Sequence, residues 1–445
     1  MKIALLTHHF PPRFKAGGEQ YAYRVAHGLH QQGFTVEVVT IESITRGDLI
    51  PTCQTDNQFG FPVHRLSYNL HNAPNRFEWS FRHPQLGDWI KTYLEKFQPD
   101  IVHINSGYLL GGTVPEAAFS LGLPTVFTLH DYWYVCPQIT LLQLNGRICI
   151  EPVPAIRCAW CQLSDKRRYR LPDQWTKGQL SDAFVWLSQS DIITRMMGLT
   201  EMEALIEDRR TYLHHVFARF NLVISPSRFL MEKMESYGLK TQRFVHLPIG
   251  LDAQHLTVAT TPRRSGHLLQ IGYLGQIAPH KGVHLLIEAF RRVRKRPGAC
   301  KLVLYGNIAP DNSYQQKILQ QVTHDPDIQL AGSYPNKEVG QILEQLDAIV
   351  VPSLWYENYP VVIVEAMATQ TPVIATRLGG MAELITHNQN GLLFEVGDVA
   401  NLTQQLQRLI DEPDLLSQLR AGIQPHPQLN DELKTLIGYY HELLA

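Results

Sequence analysis

The chain has 445 residues, of which 44% are apolar, so it is long enough for two or three separate cores, and two domains are expected. Lys and Arg total 40 and Asp and Glu total 41, so the formal charge of −1 excludes a global basic field that would recruit nucleic acid. No apolar run is long enough for a signal peptide or a membrane span, so a soluble cytoplasmic protein is expected. Six cysteines without a secretory leader argue against a disulfide framework and for thiols or a metal site.

The first part of the chain alternates short apolar runs with helical patterns. The apolar run at 2–6 is followed by a loop that contains Gly17 and Gly18, and then by a helical pattern at 19–32. Further strands are predicted at 34–40, 100–105, 124–129, 222–225 and 244–247. Strands rich in Val and Ile that alternate with helices predict parallel βαβ units, whose ligands bind at the carboxyl ends of the strands.

Residues 136–217 do not follow this alternation and are predicted to be an insertion in a first domain that spans 1–252. The insertion carries a basic run at 166–170, which is typical of a solvated face or of transient contact with a membrane surface. Its later part, 182–217, has helical periodicity with several Met residues, a pattern that favours core packing over a membrane or partner surface.

The alternation starts again after a polar stretch at 253–265, which is the predicted linker. Strands are predicted at 268–274, 301–305, 328–330, 348–351, 372–375 and 391–394, which gives a second doubly wound domain over 266–428. The amphipathic pattern at the end, within 429–445, predicts a helix that packs back on the first domain. The expected fold class is therefore α/β, with two Rossmann-like parallel-sheet domains facing a central cleft.

A pair of carboxylates, Glu357 and Glu365, lies where a polar turn leads into an apolar helix. Pro360 suits the first turn of a helix, whose free amides and positive dipole end favour an anion such as a diphosphate. Carboxylates accept hydrogen bonds from hydroxyls, so the pair suits a ligand with sugar rings on either side of a diphosphate. The alternative is a solvated loop Glu followed by a surface helix Glu.

Lys281 follows a predicted strand and precedes Gly282 at the start of a helical pattern. A compact positive charge beside a closely approachable backbone suits a diphosphate leaving group, although an exposed lysine near a helix cap is the alternative. The Asp-x-Asp sequence at 325–327 matches a metal-dependent transferase pattern, but Asp-Pro between a helix and a strand favours a turn.

Four cysteines, Cys136, Cys149, Cys158 and Cys161, lie within 26 residues of the predicted insertion. The Cys-x-x-Cys spacing of the last two can place two thiolates on one metal ion, and four thiolates would form a closed structural zinc site. Reduced packed thiols are the alternative.

Taken in order, these segments resemble the retaining glycosyltransferases of the GT-B fold, family four. The resemblance covers nearly the whole chain and rests on the segments at 17–19, 99–103, 128–131, 224–227, 275–290, 357–365, 379–383 and 390–393. It implies a hexosyltransferase-like enzyme of polysaccharide biosynthesis that uses a nucleotide sugar and needs no cofactor for catalysis.

The resemblance also implies roles for individual residues. Lys281 should hold the diphosphate, Glu357 should contact the transferred sugar, and Glu365 should bind the ribose hydroxyls. His130 should lie near the donor sugar and the acceptor. The remaining positions expected to contact the donor are Gly17, Gly18, Gln276, Gly306, Ser333, Asn358 and Tyr359.

Three positions depart from the family pattern. Gln276 stands where the family usually has Arg, so Lys281 or another cation must carry more of the phosphate charge. Pro360 replaces a frequent Gly and removes one amide donor. Ile249 stands where Asn is frequent, and no chemical interpretation of this change follows from the sequence.

The resemblance implies transfer to a hydroxyl with retention of anomeric configuration, with the leaving phosphate as base. The acceptor stays open between a glycan, a lipid-linked sugar and a small molecule, and a lipid-linked acceptor would bring peripheral contact with the inner membrane surface. A sugar-nucleotide epimerase and a non-catalytic sugar-nucleotide sensor remain as alternatives. A dinucleotide-dependent oxidoreductase is disfavoured because Gly-x-Gly-x-x-Gly is missing after the first strand.

Overall fold

The computed structural model describes residues 1–14, 16–143, 145–151, 153–164, 175–176, 179–187, 199–252, 256, 268–293 and 300–445. These residues form two compact units, one made of Met1–Pro248 with Glu432–Ala445 and the other of Ile249–Asp431. The basic run at 166–170 lies outside the described residues, as does the predicted linker at 253–265 apart from residue 256.

The described part of the first unit contains an eight-stranded sheet in the order β3-β4-β2-β1-β5-β6-β7-β8. Its strands are β1 Lys2–Thr7, β2 Thr35–Ser43, β3 Thr52–Asp56, β4 Val63–Ser67, β5 Ile101–Ile104, β6 Thr125–Thr128, β7 Leu222–Ser225 and β8 Phe244–His246. All neighbouring strands run parallel except β3, which pairs antiparallel with β4 at the sheet edge. An antiparallel edge strand is common on an otherwise parallel sheet, and here it was not predicted.

Helices lie between most of these strands, and one more lies at the end of the chain. They span Gly17–Gln31, Arg76–Trp79, Pro84–Phe97, Thr113–Ser120, Ala155–Ser164, Gln179–Leu187, Leu199–Ala218, Arg228–Ser236 and Leu429–Leu444, with a 3₁₀ turn at Leu70–Asn72. The helix Gly17–Gln31 buries Tyr21, Val25 and Leu29, which are spaced four residues apart and therefore share one face.

The C-terminal helix Leu429–Leu444 belongs to the first unit from Glu432 onward. A Cβ added at Gly28 would lie 2.4 Å from Leu433 Cδ1, so a larger residue at position 28 would push this helix outward. Tyr440 is fully buried and its hydroxyl lies 2.6 Å from His103 Nδ1, while His103 Nε2 lies 2.7 Å from Thr128 Oγ1. Both ring nitrogens of His103 are therefore used to attach the helix to β5 and β6.

The described part of the second unit contains a six-stranded parallel sheet in the order β11-β10-β9-β12-β13-β14. Its strands are β9 Leu269–Leu274, β10 Cys300–Tyr305, β11 Ile328–Gly332, β12 Ala348–Val351, β13 Val373–Thr376 and β14 Gly391–Phe394. Its helices span Val283–Arg292, Ser313–Val322, Val339–Glu344, Val361–Ala368, Gly379–Leu384, Val399–Asp411 and Leu415–Gly422, with 3₁₀ turns at Pro279–Lys281 and Asn336–Glu338.

Two apolar cores cover the two faces of this second sheet. One includes Ile271, Leu286 and Phe290, and the other includes Ile349 and Ile363. Strands buried on both faces are mostly apolar along their whole length, which explains why five of the six runs could be recognised as strands from the sequence. The strand β11 is partly exposed.

Each sheet has one point at which the strand order reverses. In the first unit it lies between β1 and β5, and in the second it lies between β9 and β12. In open α/β sheets, ligands bind beside the carboxyl ends of the strands at such a point. Functional side chains are therefore expected in the loops that follow these four strands.

Candidate functional site

In the second unit, the loop after β9 and the loop after β12 are packed tightly together. Gly282 has φ of +70°, and a Cβ at this position would lie 1.9 Å from the carbonyl oxygen of Pro352. The Leu354 amide donates to the His280 carbonyl oxygen at 2.7 Å. Glycine is required here both by its backbone angle and by the close backbone approach, and the contact fixes the neighbouring Lys281 relative to the second loop.

Lys281 and Glu357 meet across these two loops. Lys281 Nζ lies 2.6 Å from Glu357 Oε1, and the ammonium also lies 5.1 Å from the centre of the Trp355 ring. Oε1 accepts two further hydrogen bonds, from Ser353 Oγ at 2.7 Å and from Trp355 Nε1 at 2.8 Å. The two predicted residues are thus brought together, and two partners that were not predicted hold the carboxylate.

Glu357 is only 8% exposed, and burial by itself raises the pKa of its carboxyl group. The charge of Lys281 and the three hydrogen bonds outweigh burial, so the pKa is lowered overall and the group is a carboxylate at neutral pH. Among the described residues, the hydrogen bonds to this carboxylate fall on Oε1, which leaves Oε2 able to accept a hydroxyl from a ligand.

The helix Val361–Ala368 begins directly after this carboxylate. Pro360 is its N-cap residue with ψ of 98°, outside the helix, whereas the sequence suggested a place in the first turn. The Ile363 amide donates to the Pro360 carbonyl at 2.9 Å. The amides of Val361 and Val362 have no helical carbonyl one turn earlier, so they remain as donors for an anion.

Glu365 lies inside this helix and is only 9% exposed. Burial, and then the charge of Glu365, raises the pKa of the Tyr334 phenol. The phenol and the Glu365 carboxylate are therefore close enough to interact. A buried carboxylate contradicts the alternative that Glu365 is a solvated surface residue.

Asn358 and Tyr359 occupy the turn between Glu357 and the helix. A Cβ at Gly380 would lie 2.2 Å from the Asn358 carbonyl oxygen, and the Gly380 amide donates to the Glu357 carbonyl oxygen at 2.8 Å. The Tyr359 hydroxyl lies 2.7 Å from His426 Nε2. The structure therefore uses the Tyr359 hydroxyl to fix the turn, while its part in donor contact stays a prediction.

The other predicted positions of this unit lie at strand ends. The Gln276 carbonyl accepts the Tyr273 hydroxyl at 2.6 Å, just after β9. The Gly306 amide donates to the Gly332 carbonyl oxygen at 2.9 Å, and a Cβ at Gly306 would lie 2.5 Å from the Gly275 carbonyl oxygen. Ser333 follows β11 and is exposed. These residues come from β9, β10 and β11, so the predicted positions share one edge of the sheet.

In the first unit, Gly17 and Gly18 begin the helix that follows β1. A Cβ at Gly18 would lie 3.4 Å from His8 Cε1 and 3.9 Å from His130 Cβ, so these residues form one cluster. His8 Nε2 lies 3.3 Å from Glu19 Oε1. The cluster lies at the carboxyl ends of β1 and β6.

Burial lowers the pKa of His130 to about 3, so its imidazole is neutral at physiological pH. Its ring centre lies 4.6 Å from that of Tyr21. His130 can therefore act as a neutral hydrogen-bonding group but not as a standing positive charge.

Asn105 and Ser106 follow β5 on the other side of the same strand-order reversal. Ser106 Oγ donates to Asp131 Oδ2 at 3.0 Å, and Asp131 Oδ1 accepts the Trp133 amide at 2.8 Å. Asn105 is fully buried, and within the described residues neither side-chain amide atom has a hydrogen-bond partner. The sequence signal for Asn105 was its place at a strand end, but only the sheet order shows that this strand lies beside β1.

The Asp-x-Asp sequence forms a turn. Asp325 accepts hydrogen bonds from Arg291 Nε at 3.0 Å and from the Asp327 amide at 3.2 Å. The Asp325 carboxylate is thus engaged by an arginine and by the turn itself, which agrees with the turn interpretation.

The four clustered cysteines all line one small cavity in the first unit. Within the described part of the chain, no group of three or more His, Cys, Asp or Glu side chains stands in position to hold a metal ion. The sequence interpretation of these thiols as a zinc site stays a prediction.

Two family models match separate parts of the chain. The model described as Glycosyltransferase Family 4 matches residues 16–188, and the model described as Glycosyl transferases group 1 matches residues 269–412. A glycogen synthase from Mycobacterium tuberculosis is 28% identical over 430 residues, which cover 93% of this chain and 87% of that protein.

Other curated relatives match over a shorter length. The amylovoran biosynthesis glycosyltransferase AmsK from Erwinia amylovora is 27% identical over 218 residues, or 46% of this chain and 51% of that protein. The match to WcaL from Salmonella typhimurium, described as a putative colanic acid biosynthesis glycosyltransferase, has 26% identity and covers 43% of this chain and 48% of that protein. The chain thus spans about half the length of AmsK and WcaL.

Solved structures share the fold. HepE from Anabaena in complex with UDP superposes with a TM-score of 0.67 at 17% identity and covers 99% of this chain and all of its own. Sucrose-phosphate synthase from Thermosynechococcus elongatus superposes with a TM-score of 0.66 at 17% identity, over 99% of this chain and 98% of its own. These likenesses confirm the predicted class of two parallel-sheet α/β domains with the GT-B glycosyltransferase fold. Within the described residues, no helix combines the length and apolar character needed to cross a membrane.

Proposed function

We propose that this chain, which carries the two domains of a GT-B glycosyltransferase, transfers a sugar from a nucleoside diphosphate sugar to a hydroxyl acceptor with retention of configuration. The observation that supports this most is the contact between Lys281 and Glu357 at the strand-order reversal of the second unit. It places a cation, a carboxylate and the start of a helix side by side, which is the chemistry needed for a diphosphate flanked by hydroxyl-bearing rings.

Each group has a separate part in binding the donor. The Lys281 ammonium has three donors, so it can hold Glu357 and still bind a diphosphate oxygen together with the Val361 and Val362 amides. Oε2 of Glu357 accepts a hydroxyl of the transferred sugar. Glu365, one to two turns into the helix, accepts the ribose hydroxyls. Backbone groups near Gly306 and Ser333 contact the base.

The transfer step needs no nucleophile from the protein. The bond between the anomeric carbon and the phosphate oxygen breaks, and the acceptor oxygen forms its bond to that carbon on the same face. The acceptor proton passes to the leaving phosphate oxygen. Lys281 and the helix amides stabilise the growing phosphate charge, and they lie in place before the reaction begins.

His130 contributes as a neutral imidazole. Because its pKa is lowered by burial, it offers a hydrogen bond to a sugar hydroxyl without adding charge near the electron-poor anomeric centre. Gly17 and Gly18 keep the backbone beside His8 and His130 open for close approach of a ligand.

The relatives suggest which donors and acceptors to try first. HepE has been solved in complex with UDP-glucose, so UDP sugars are the first donor class. AmsK, WcaL and the Staphylococcus aureus protein CapM are described as glycosyltransferases of amylovoran, colanic acid and capsular polysaccharide biosynthesis, which favours a saccharide acceptor, free or lipid-linked. Transfer to a lipid-linked sugar would take place at the inner membrane surface.

The test is a donor and acceptor screen with the full chain. Nucleotide sugars are first ranked by thermal shift, since a ligand that binds the folded state raises its stability. The donors that bind are then incubated with saccharide acceptors, and the anomeric configuration of the product is determined by NMR. Glycoside with the donor's configuration supports the proposal.

Other results would contradict it. A glycoside of inverted configuration would exclude the retaining mechanism. An altered sugar nucleotide formed without acceptor would favour an epimerase. A donor that binds tightly and stays intact with every acceptor would favour a sugar-nucleotide sensor.

A further inference from the structure

The four clustered cysteines come together although they are spread over 26 residues of the sequence. Cys136 ends the turn that starts at Tyr132, since its amide donates to the Tyr132 carbonyl oxygen at 2.7 Å. The chain then forms a short hairpin in which Leu142 bridges Ile148, and the Cys149 amide donates to the Leu141 carbonyl oxygen at 2.8 Å. The hairpin therefore returns Cys149 to the neighbourhood of Cys136.

The helix Ala155–Ser164 supplies the other two thiols. Cys158 and Cys161 are three residues apart and therefore lie on the same helical face. The four cysteines line a single cavity of about 30 Å³. That is room for one or two water-sized spheres, which suits an ion rather than an organic ligand.

Hydrogen-bond donors surround two of these sulfur atoms. The backbone amides of Gln138 and Leu141 hydrogen-bond the Cys136 sulfur, although burial still raises the pKa of this thiol. Arg210 Nη2 lies 3.5 Å from the Cys158 sulfur. Hydrogen bonds from amides and cations to sulfur are the contacts that orient and stabilise metal-bound thiolates.

Arg209 is a buried cation close to these thiols. It is only 1% exposed, donates a hydrogen bond to the Trp133 carbonyl oxygen and lies 4.8 Å from the centre of the Trp133 ring. Within the described residues, no carboxylate lies within ion-pair distance of its guanidinium, but Asp131, Cys136 and Cys158 are all close enough to interact with it electrostatically. A buried charge needs a counter-charge nearby.

We propose that Cys136, Cys149, Cys158 and Cys161 bind one Zn²⁺ ion in this cavity. Four thiolates and Zn²⁺ carry a net charge of −2, and the guanidinium groups of Arg209 and Arg210 lie nearby, although Arg210 Nη1 also pairs with Glu207 at 3.1 Å. Arg157 also lines the cavity, and its guanidinium lies 2.9 Å from Asp182, which also pairs with Arg147. The thiols line the cavity without meeting at one point, so binding turns their side chains inward and releases their protons to solvent.

A metal here would stabilise a part of the first unit that has a small core of its own. The helix Ala155–Ser164 packs against Leu199–Ala218 through a cluster of six buried residues: Ala155, Ile156, Ala159, Trp160, Leu199 and Ile206. Four protein ligands leave no open position on the ion, so the role is structural.

The test measures metal directly, so its outcome does not depend on transfer activity. The full chain is purified without added metal or affinity chelate, and its zinc content is measured by mass spectrometry. About one zinc per chain is expected, against a loss of at least tenfold in a variant with Cys158→Ser and Cys161→Ser. The matched control changes Cys53, which is exposed, and Cys300, which lies in the second unit, to Ser and should keep its zinc.

A second measurement covers the case in which the cysteine variant fails to fold. Co²⁺ is exchanged into the unmodified chain, and tetrahedral thiolate coordination should give strong sulfur-to-cobalt charge-transfer absorption. Absence of this band together with zinc content near zero would overturn the proposal. Equal zinc content in the cysteine variant and its control would also overturn it. So would a mass of the unmodified chain that is lower by two hydrogens because Cys158 and Cys161 form a disulfide.

Discussion

Lys281 Nζ lies 2.6 Å from Glu357 Oε1, and the two residues come from loops that follow neighbouring parallel strands. Oε1 is also held by Ser353 and Trp355, so the carboxylate is fixed before any ligand arrives. The site thus presents a charged pair whose position is set by backbone packing between Gly282 and Pro352. Preorganisation of this kind is what electrostatic catalysis requires.

Removal of the ammonium should reduce transfer strongly. In Lys281→Ala, we expect kcat/KM to fall by about 10²- to 10³-fold, the usual effect of losing one preorganised charge-stabilising donor. Lys317→Ala is the matched control, because Lys317 is exposed on the helix Ser313–Val322 of the same unit. Steady-state kinetics with the donor found in the screen measures both. Equal kcat/KM in Lys281→Ala and the control would remove Lys281 from the mechanism.

Loss of Glu365 should act on nucleotide binding. A carboxylate that accepts ribose hydroxyls contributes about 1.5 to 3 kcal/mol as a charged hydrogen-bond partner, so Glu365→Ala should raise the Kd of the nucleoside diphosphate by about 10- to 150-fold. Calorimetric titration measures this change. Glu288→Ala, which removes an exposed carboxylate paired with Arg292, should bind like the unmodified chain. An unchanged Kd in Glu365→Ala would place the ribose elsewhere.

Gly282 should tolerate no side chain. In Gly282→Ala, the methyl group meets the Pro352 carbonyl at 1.9 Å, so we expect a loss of about 2 to 4 kcal/mol in unfolding free energy from overpacking and backbone strain. Gly397→Ala has a similar φ of +72°, but its nearest neighbour lies at 3.9 Å, so it should show the strain alone. Urea unfolding compares the two. Equal losses of unfolding free energy in the two variants would mean that the close approach of the two loops does not affect stability.

The first unit should lose stability in mild acid. Burial lowers the pKa of His103 to about 3, whereas the unfolded residue titrates near 6.5. Between these two pKa values, the unfolded chain binds a proton at His103 and the folded chain does not. The contribution of His103 to the free energy of unfolding is therefore complete above pH 6.5 and is lost as the pH falls toward 3.

His103→Gln tests this assignment. Between pH 6 and pH 4, it should reduce the slope of unfolding free energy against pH by about 1.4 kcal/mol per pH unit, the value for one proton. His441→Gln removes an exposed histidine from the C-terminal helix and should leave the slope unchanged. Parallel pH slopes for His103→Gln and the unmodified chain would show that His103 is not the titrating group.

Much of the fold could be predicted because most strands of the two sheets are buried and therefore apolar along their length. The strands β3 and β4 were missed, since β3 is exposed along most of its length and its residues Thr52–Asp56 are mostly polar. The strand β3 becomes an antiparallel edge strand by pairing with β4. No local sequence pattern in β3 predicts this pairing.

The candidate site could be predicted only in part. Lys281 and Glu357 were found through their motifs. The strand order that places β9 beside β12 depends on the tertiary structure, so it could not be read from the sequence. Ser353 and Trp355 were missed because a Ser and a Trp in a loop carry no signal until the position of their carboxylate partner is known. The same holds for Asn105, whose burial depends on the neighbouring strands.

The most direct test of the central claim is a crystal structure of the chain soaked with the nucleoside diphosphate that gives the largest thermal shift. The diphosphate should lie within hydrogen-bond distance of Lys281 Nζ and the Val361 amide, with the ribose hydroxyls on Glu365. A nucleotide bound away from these three residues would contradict the assignment of this site.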